Sequence, residues 1–251
     1  MQTVKDRAII LRRVPFGEAD LMLTLYSEKN GKVRAIAKGA RRITSKLLGY
    51  TELFTLVSCQ LNFKTSIPIV SQMSHEQIFD GVAEDPTLYE RLHILAELVD
   101  KGCQEQEANM PLYRCLQEGI EQLVVSDHRL VLPSLILQVS RLLGFEPQLQ
   151  LCAHCGTPLA EDQRLVWSEA HGGIVSCSVG AAAGQVLSID DIKVMRYLAK
   201  TPVSQVEKLR INSDMSARVE SLLLRHVQYS LDQDFRTTRI LKDLQSYAHV
   251  D

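Results

Sequence analysis

The chain has 251 residues, 45% of them hydrophobic and 23% charged, which is the composition of a soluble globular protein with room for two modest domains. It lacks an apolar run long enough to span a membrane, MQTVKDRAII is not a signal peptide, and six scattered cysteines do not make a disulfide framework; together these point to the cytoplasm. The net charge of -2 conceals an asymmetry, since residues 1–82 carry +5 and residues 83–251 carry -7. A basic module is joined to an acidic one.

The first 75 or so residues alternate with the period of half-buried strands. Strands are predicted at 4–14, in DLMLTLY with Leu21, Leu23 and Leu25 on one face, and in KVRAIAK with Val33, Ala35 and Ala37 on one face. The Asn30-Gly31 pair between the last two predicts a hairpin with a primed turn. Further strands are predicted at 51–63 and 66–73, the latter placed at an edge or bulge by Pro68. Five short strands in under 80 residues point to a small antiparallel barrel of the oligonucleotide/oligosaccharide-binding (OB) type.

After residue 82 the period becomes helical. Asp85-Pro86 is an N-cap followed by Pro at the first helical position, Leu88, Leu92, Leu95 and Val99 form a stripe, and Gly102 supplies a stop. Helices are also predicted near 110–125 and 130–143, from Ser188-Asp191 through IKVMRYL, and at about 214–232 with Val219, Leu222, Leu223, His226 and Val227 on one face. The helical pattern breaks at about 145–187, where glycines and a Cys pair replace it. The expected fold is therefore an α+β multidomain protein: an OB barrel over 1–82, then a helical domain over 83–251 with a zinc-ribbon-like insertion.

The most informative stretch is KNGKVRAIAKGARRITSK, residues 29–46, with Lys29, Lys32, Arg34, Lys38, Arg41, Arg42 and Lys46 and no acidic residue. On the strand, Lys32, Arg34 and Lys38 project opposite the apolar face; beyond it, Lys38-Gly39-Ala40-Arg41-Arg42 is a turn where backbone amides and guanidinium groups meet phosphates together. The alternative is a solvated strand face whose charges protect an edge. On a barrel of this type the run points to nucleic acid. Rings for base stacking are few (Phe16, Tyr26, Tyr50, Phe54, Phe63, Phe79) and several must be core, so binding is expected to be dominated by phosphates.

Cys152-Ala153-His154-Cys155-Gly156 resembles the first half of a zinc ribbon, but a closed site wants a second pair and the only later cysteine is Cys177. Any ion would fall to Cys152, Cys155 and Cys177, with His154 or His171 as substitutes; the expectation is a ribbon-like fold that holds no zinc. There is no phosphate-loop signature, nucleophile elbow or dinucleotide fingerprint, so a binding module is a better reading than an enzyme.

The order of features resembles the bacterial RecO recombination mediators. The matching residues are Arg7-Ala8-Ile9-Ile10-Leu11, Gly17-Glu18-Ala19-Asp20, Gly31-Lys32-Val33, Lys38-Gly39-Ala40-Arg41-Arg42 with Ser45-Lys46, Glu97-Leu98-Val99-Asp100, Leu142-Leu143-Gly144-Phe145-Glu146-Pro147, and Cys152-x-x-Cys155-Gly156 with Gly172-Gly173. The resemblance implies a non-enzymatic, nucleoid-associated protein of DNA repair and recombination. Such a protein binds single- and double-stranded DNA, anneals complementary strands, contacts the tail of single-strand-binding protein and acts with RecR to load RecA. It also implies a four-cysteine zinc site in many members, from which this sequence departs: Ser176 and Val179 stand where the second cysteines belong. For the partner's tail, the helix with Arg218, Leu223, Arg225 and Tyr229, followed by Arg236 and Arg239, is the candidate surface. The competing readings are a nucleic-acid-modifying enzyme with an unrecognised site and a structural adaptor without DNA affinity.

Overall fold

Five strands close the N-terminal barrel: β1 (Thr3–Phe16), β2 (Asp20–Ser27), β3 (Gly31–Ala37), β4 (Leu56–Asn62) and β5 (Ile69–Gln77), in the order β1-β2-β3-β5-β4 with β4 returning to β1. The computed structural model describes residues 3–82, 84–160, 163–176 and 184–237. All strand pairs are antiparallel except β3–β5, whose short parallel seam joins Ile36 to Ile69 and Ala37 to Val70. This is OB-type topology. Alternation fills the barrel with Ala8, Ile10, Leu21, Leu23, Leu25, Val33, Ala35, Ala37, Val57, Cys59, Leu61 and Val70, all buried.

Two local expectations are corrected. The β2–β3 hairpin has a three-residue loop, because Ser27 pairs with Gly31, and Gly31 alone takes positive φ (+62°). The buried Asp6 carboxylate selects this shape, accepting from the Lys29 amide at 3.2 Å and the Asn30 side chain at 2.7 Å. The strand expected from 51 begins only at Leu56, because Phe54 adopts φ +62° and buries its ring in edge-on contact with His93, 5.0 Å between centroids.

Helices α1 (Pro86–Gly102) and α2 (Met110–Val125) follow. The Asp85 side chain caps α1, accepting from Thr87 N at 2.8 Å and Leu88 N at 3.1 Å. The chain divides into two compact units at 124/125, so α1 and nearly all of α2 belong with the barrel.

The second unit holds α3 (Val131–Leu142), α4 (Ile189–Lys200), α5 (Ser213–Ser230) and a short 3-10 turn, Val203–Lys208. Helix α3 is apolar nearly all round and packs against α4, α5 and the turn, which makes it the core of the unit. Ser188 and Asp191 close the expected capping box on α4. Between α3 and α4, strands β6 (Val166–Ser168), β7 (Gly173–Val175) and β8 (Gln185–Val186) make a small sheet in the order β7-β6-β8.

Trp167 of β6 is fully buried and meets His226 of α5, 5.8 Å between ring centroids. His226 donates from Nε2 to the Phe145 carbonyl at 2.8 Å, and its Nδ1 is buried without a partner among the described residues. Burial pushes the His226 pKa down, against the Phe145 bond and Glu169, because a proton on Nδ1 would lack both water and an acceptor. A folded pKa below the unfolded value contributes stability that is complete above about pH 6.5 and is lost as pH falls below it. Urea denaturation followed by the fluorescence of Trp167, the chain's one tryptophan, should therefore show a lower midpoint at about pH 5.5 than at about pH 7.5. His226→Gln should flatten that difference; an equal pH dependence in both proteins would contradict the assignment.

Candidate nucleic-acid interface

The outer face of β3 is not the uniformly cationic strip expected from sequence. Lys32 is only 6% exposed, and its Nζ donates to the Asp100 carbonyl and lies 3.6 Å from the Asp100 carboxylate. Arg34 forms an ion pair with Glu105. Both acidic partners come from the end of α1 and the segment after it. The first half of β3 has no β5 neighbour, and this segment takes the free edge: Gln106 N donates to the Lys32 carbonyl at 2.8 Å, and Glu105 bridges to Lys32 in parallel register.

Magnitudes separate the two cations. Removing one partner of a nearly buried pair such as Lys32–Asp100 costs about 3 kcal/mol, so Lys32 is committed to the fold. The Arg34 and Glu105 side chains are 59% and 41% exposed, and a pair so solvated is worth ~0.5 kcal/mol, little enough for a phosphate to displace the carboxylate. Glu105→Gln should accordingly tighten single-stranded DNA binding and steepen its salt dependence by about 0.7 log units per log unit of salt, read by fluorescence anisotropy. An unchanged slope would place Arg34 outside the interface.

Beyond β3 no carboxylate among the described residues pairs with the cations. Gly39 N donates to the Asp20 carboxylate at 2.7 Å and Arg41 N to the Ala19 carbonyl at 2.9 Å, fastening the loop to the β1–β2 turn. Ala40 is buried in the barrel core and Leu47 packs against it. Arg41 spends part of its guanidinium on the Gly17 and Glu18 carbonyls, at 3.4 and 3.2 Å. Lys38, Arg42 and Lys46 are exposed, and their side chains make no hydrogen bond or ion pair among the described residues. Lys29 stands apart at the opposite turn, its Nζ donating to the Lys5 carbonyl at 3.1 Å. Of the seven residues singled out, the fold thus gathers Lys38, Arg41, Arg42 and Lys46 at one end of the barrel, keeps Arg34 in a displaceable pair and withdraws Lys32.

Strand register adds a residue that the charge run did not contain. Arg12 lies opposite Thr24, which lies opposite Arg34, so Arg12 shares their outer face; it is exposed and unpaired among the described residues. Its isolation in sequence hid it.

In the second unit two of the arginines expected to receive a partner's tail, Arg218 and Arg225, are already engaged. Arg218 donates to Asp191 at 3.0 Å, and Arg225 donates to Glu169 at 2.9 Å, Gln185 at 2.7 Å and Ser221 at 3.0 Å. Leu223 is 1% exposed and offers no surface, which corrects its reading as an anchor; Tyr229 is exposed. Arg239 lies outside the described residues.

Cys152 is buried and Cys155 exposed. Burial raises the Cys152 thiol, but backbone N–H groups of Ser176, Cys155 and His154 outweigh it and bring its pKa down to about 5. Cys155 Sγ is 3.2 Å from Thr157 Oγ1. Cys177 lies outside the described residues, and among those described no three His, Cys, Asp or Glu side chains are grouped to hold a metal ion. Cys152 and Cys155 would supply two of the four ligands that a closed tetrahedral zinc site requires.

The sequence profile of the recombination protein O N-terminal domain matches residues 1–79, and that of the C-terminal domain matches residues 83–239. The chain belongs to the RecO family. It is 30% identical over 253 residues to the DNA repair protein RecO of Pelotomaculum thermopropionicum, covering all of this chain and 94% of that one. It is 31% identical to that of Roseiflexus sp., over 96% of this chain and 86% of the relative, and 28% identical to that of Desulfatibacillum aliphaticivorans, over 98% of each. It is thus a DNA repair protein of the RecO family, and the loop cations Lys38, Arg42 and Lys46 lie within the stretch that the N-terminal RecO profile covers.

Proposed function

We propose that this chain is a recombination mediator that binds single- and double-stranded DNA through the barrel, anneals complementary strands and, with RecR, helps load RecA onto DNA covered by single-strand-binding protein. The carrying observation is the fastened loop at 38–47, where Lys38, Arg42 and Lys46 stand exposed and unpaired among the described residues while Arg41 holds the loop in place. Cations that neutralise phosphates without reading base edges hold two strands close, lower their mutual repulsion and leave the sequence check to base pairing. No bond is made or broken in this role, and its place is the nucleoid of the cytoplasm. Most of the acidic excess after residue 82 lies in residues 83–124, net -6, within the same compact unit as the barrel, whereas residues 125–251 carry only -1.

The direct test is annealing of complementary strands coated with single-strand-binding protein. The unaltered chain should accelerate it, and less so as salt rises. A chain that binds neither single strands nor duplex is a structural adaptor, and one that alters the strands covalently is an enzyme; either result overturns the proposal. On cofactors, the same reading expects clearly less than one zinc per purified chain. Stoichiometric zinc by mass spectrometry, lost on replacing Cys152 or Cys155, would show otherwise.

A further inference from the structure

Most large rings of the barrel unit are withdrawn. Tyr26 and Phe54 are buried, and Tyr50 and Phe63 pack against the core. Two rings of the unit are exposed, Phe16 at 44% and Tyr89 of α1 at 41%, and of these Phe16 is the one on a barrel strand. It closes β1, where register pairs it with Asp20, and Gly39 of the cationic loop donates to the Asp20 carboxylate. The ring therefore stands at the end of the barrel where Lys38, Arg41 and Arg42 are gathered. On the same face behind it lie Val14, Met22 and Ile36, paired across the three strands and half-buried. Ile43, next to Arg42, is 95% exposed. The exposed acid here is Glu18.

An apolar ring beside unpaired cations complements a ligand that carries flat apolar faces on a polyanionic thread, which describes a single strand and not a duplex, whose bases are stacked inside. We infer that Phe16 is a stacking platform for an unpaired base, which gives this barrel a preference for single strands that its phosphate contacts alone do not supply. This deepens the DNA-binding reading and rests on it.

The test uses the full chain with a labelled single strand and a duplex of equal length, by fluorescence anisotropy. Phe16→Ala should weaken single-strand binding by about tenfold, leave duplex binding unchanged and leave the salt slope unchanged, since every cation is kept. Phe16→Trp should retain affinity and lose fluorescence when the single strand is added, against the constant background of buried Trp167. Equal losses for single strand and duplex, no loss for either, or an unquenched Trp at 16 would each overturn the stacking role. If the unaltered chain binds neither ligand, the DNA-binding reading itself fails; if it binds and Phe16→Ala binds equally well, only this inference fails.

Discussion

Replacing Lys38, Arg42 and Lys46 together with alanine is expected to weaken single-stranded DNA binding by roughly one to two orders of magnitude. It should also flatten the salt dependence by about 2 log units per log unit, about 0.7 for each phosphate that is no longer neutralised. These three are chosen because their side chains form no hydrogen bond or ion pair among the described residues, so stability should not move. Arg41 is left in place because its bonds to the Gly17 and Glu18 carbonyls position the loop. Replacing the exposed Lys200, Lys208 and Arg210 of the second unit changes the net charge by the same amount and controls for it. Anisotropy over a salt series decides the matter: equal effects from the two triple variants would reduce the loop to a share of overall charge.

The second large effect concerns Gly31. An added Cβ would lie 1.9 Å from the Glu107 carbonyl oxygen, backbone that cannot step aside without lifting the segment that covers Lys32. Gly17 is the natural control, since its φ is also +62° and its Cβ would meet nothing within 4 Å. Gly17→Ala should cost about 1 kcal/mol, the strain of a left-handed alanine. Gly31→Ala should cost about 3 kcal/mol, because it adds the loss of the Gln106–Lys32 bond and exposes the edge of β3. Urea denaturation followed by circular dichroism measures both, and equal costs would mean the covering segment yields easily.

Much of this was legible in the sequence because it is written locally. Alternating leucines placed β2, and Asp85-Pro86 and Ser188-Asp191 announced their helices through side-chain bonds that span three residues. What was hidden depends on partners far along the chain. The fate of Lys32 is decided by Asp100, 68 residues away, and Arg12 joins Arg34 only through the register of two strand pairs. The 51–55 stretch alternates like a strand, yet the burial of Phe54 against α1 turns its backbone out of extension. Charge counting found the cationic loop because no described acid pairs with its side chains. It misjudged β3 because acids do pair there.

The covering of the β3 edge has a bearing on how the chain can be divided. The two family profiles meet at 79/83, which invites a fragment ending there, yet the stretch that completes the barrel wall lies at 105–107, on the far side of that seam. A fragment ending at 82 would leave the backbone of residues 31–34 as an open template for strand addition and strand Lys32 without its counterion. Such a piece is poised to self-associate, and a DNA affinity measured on it would include charge that the intact protein keeps covered. Domain dissection of this chain should cut near 124, where the compact units part.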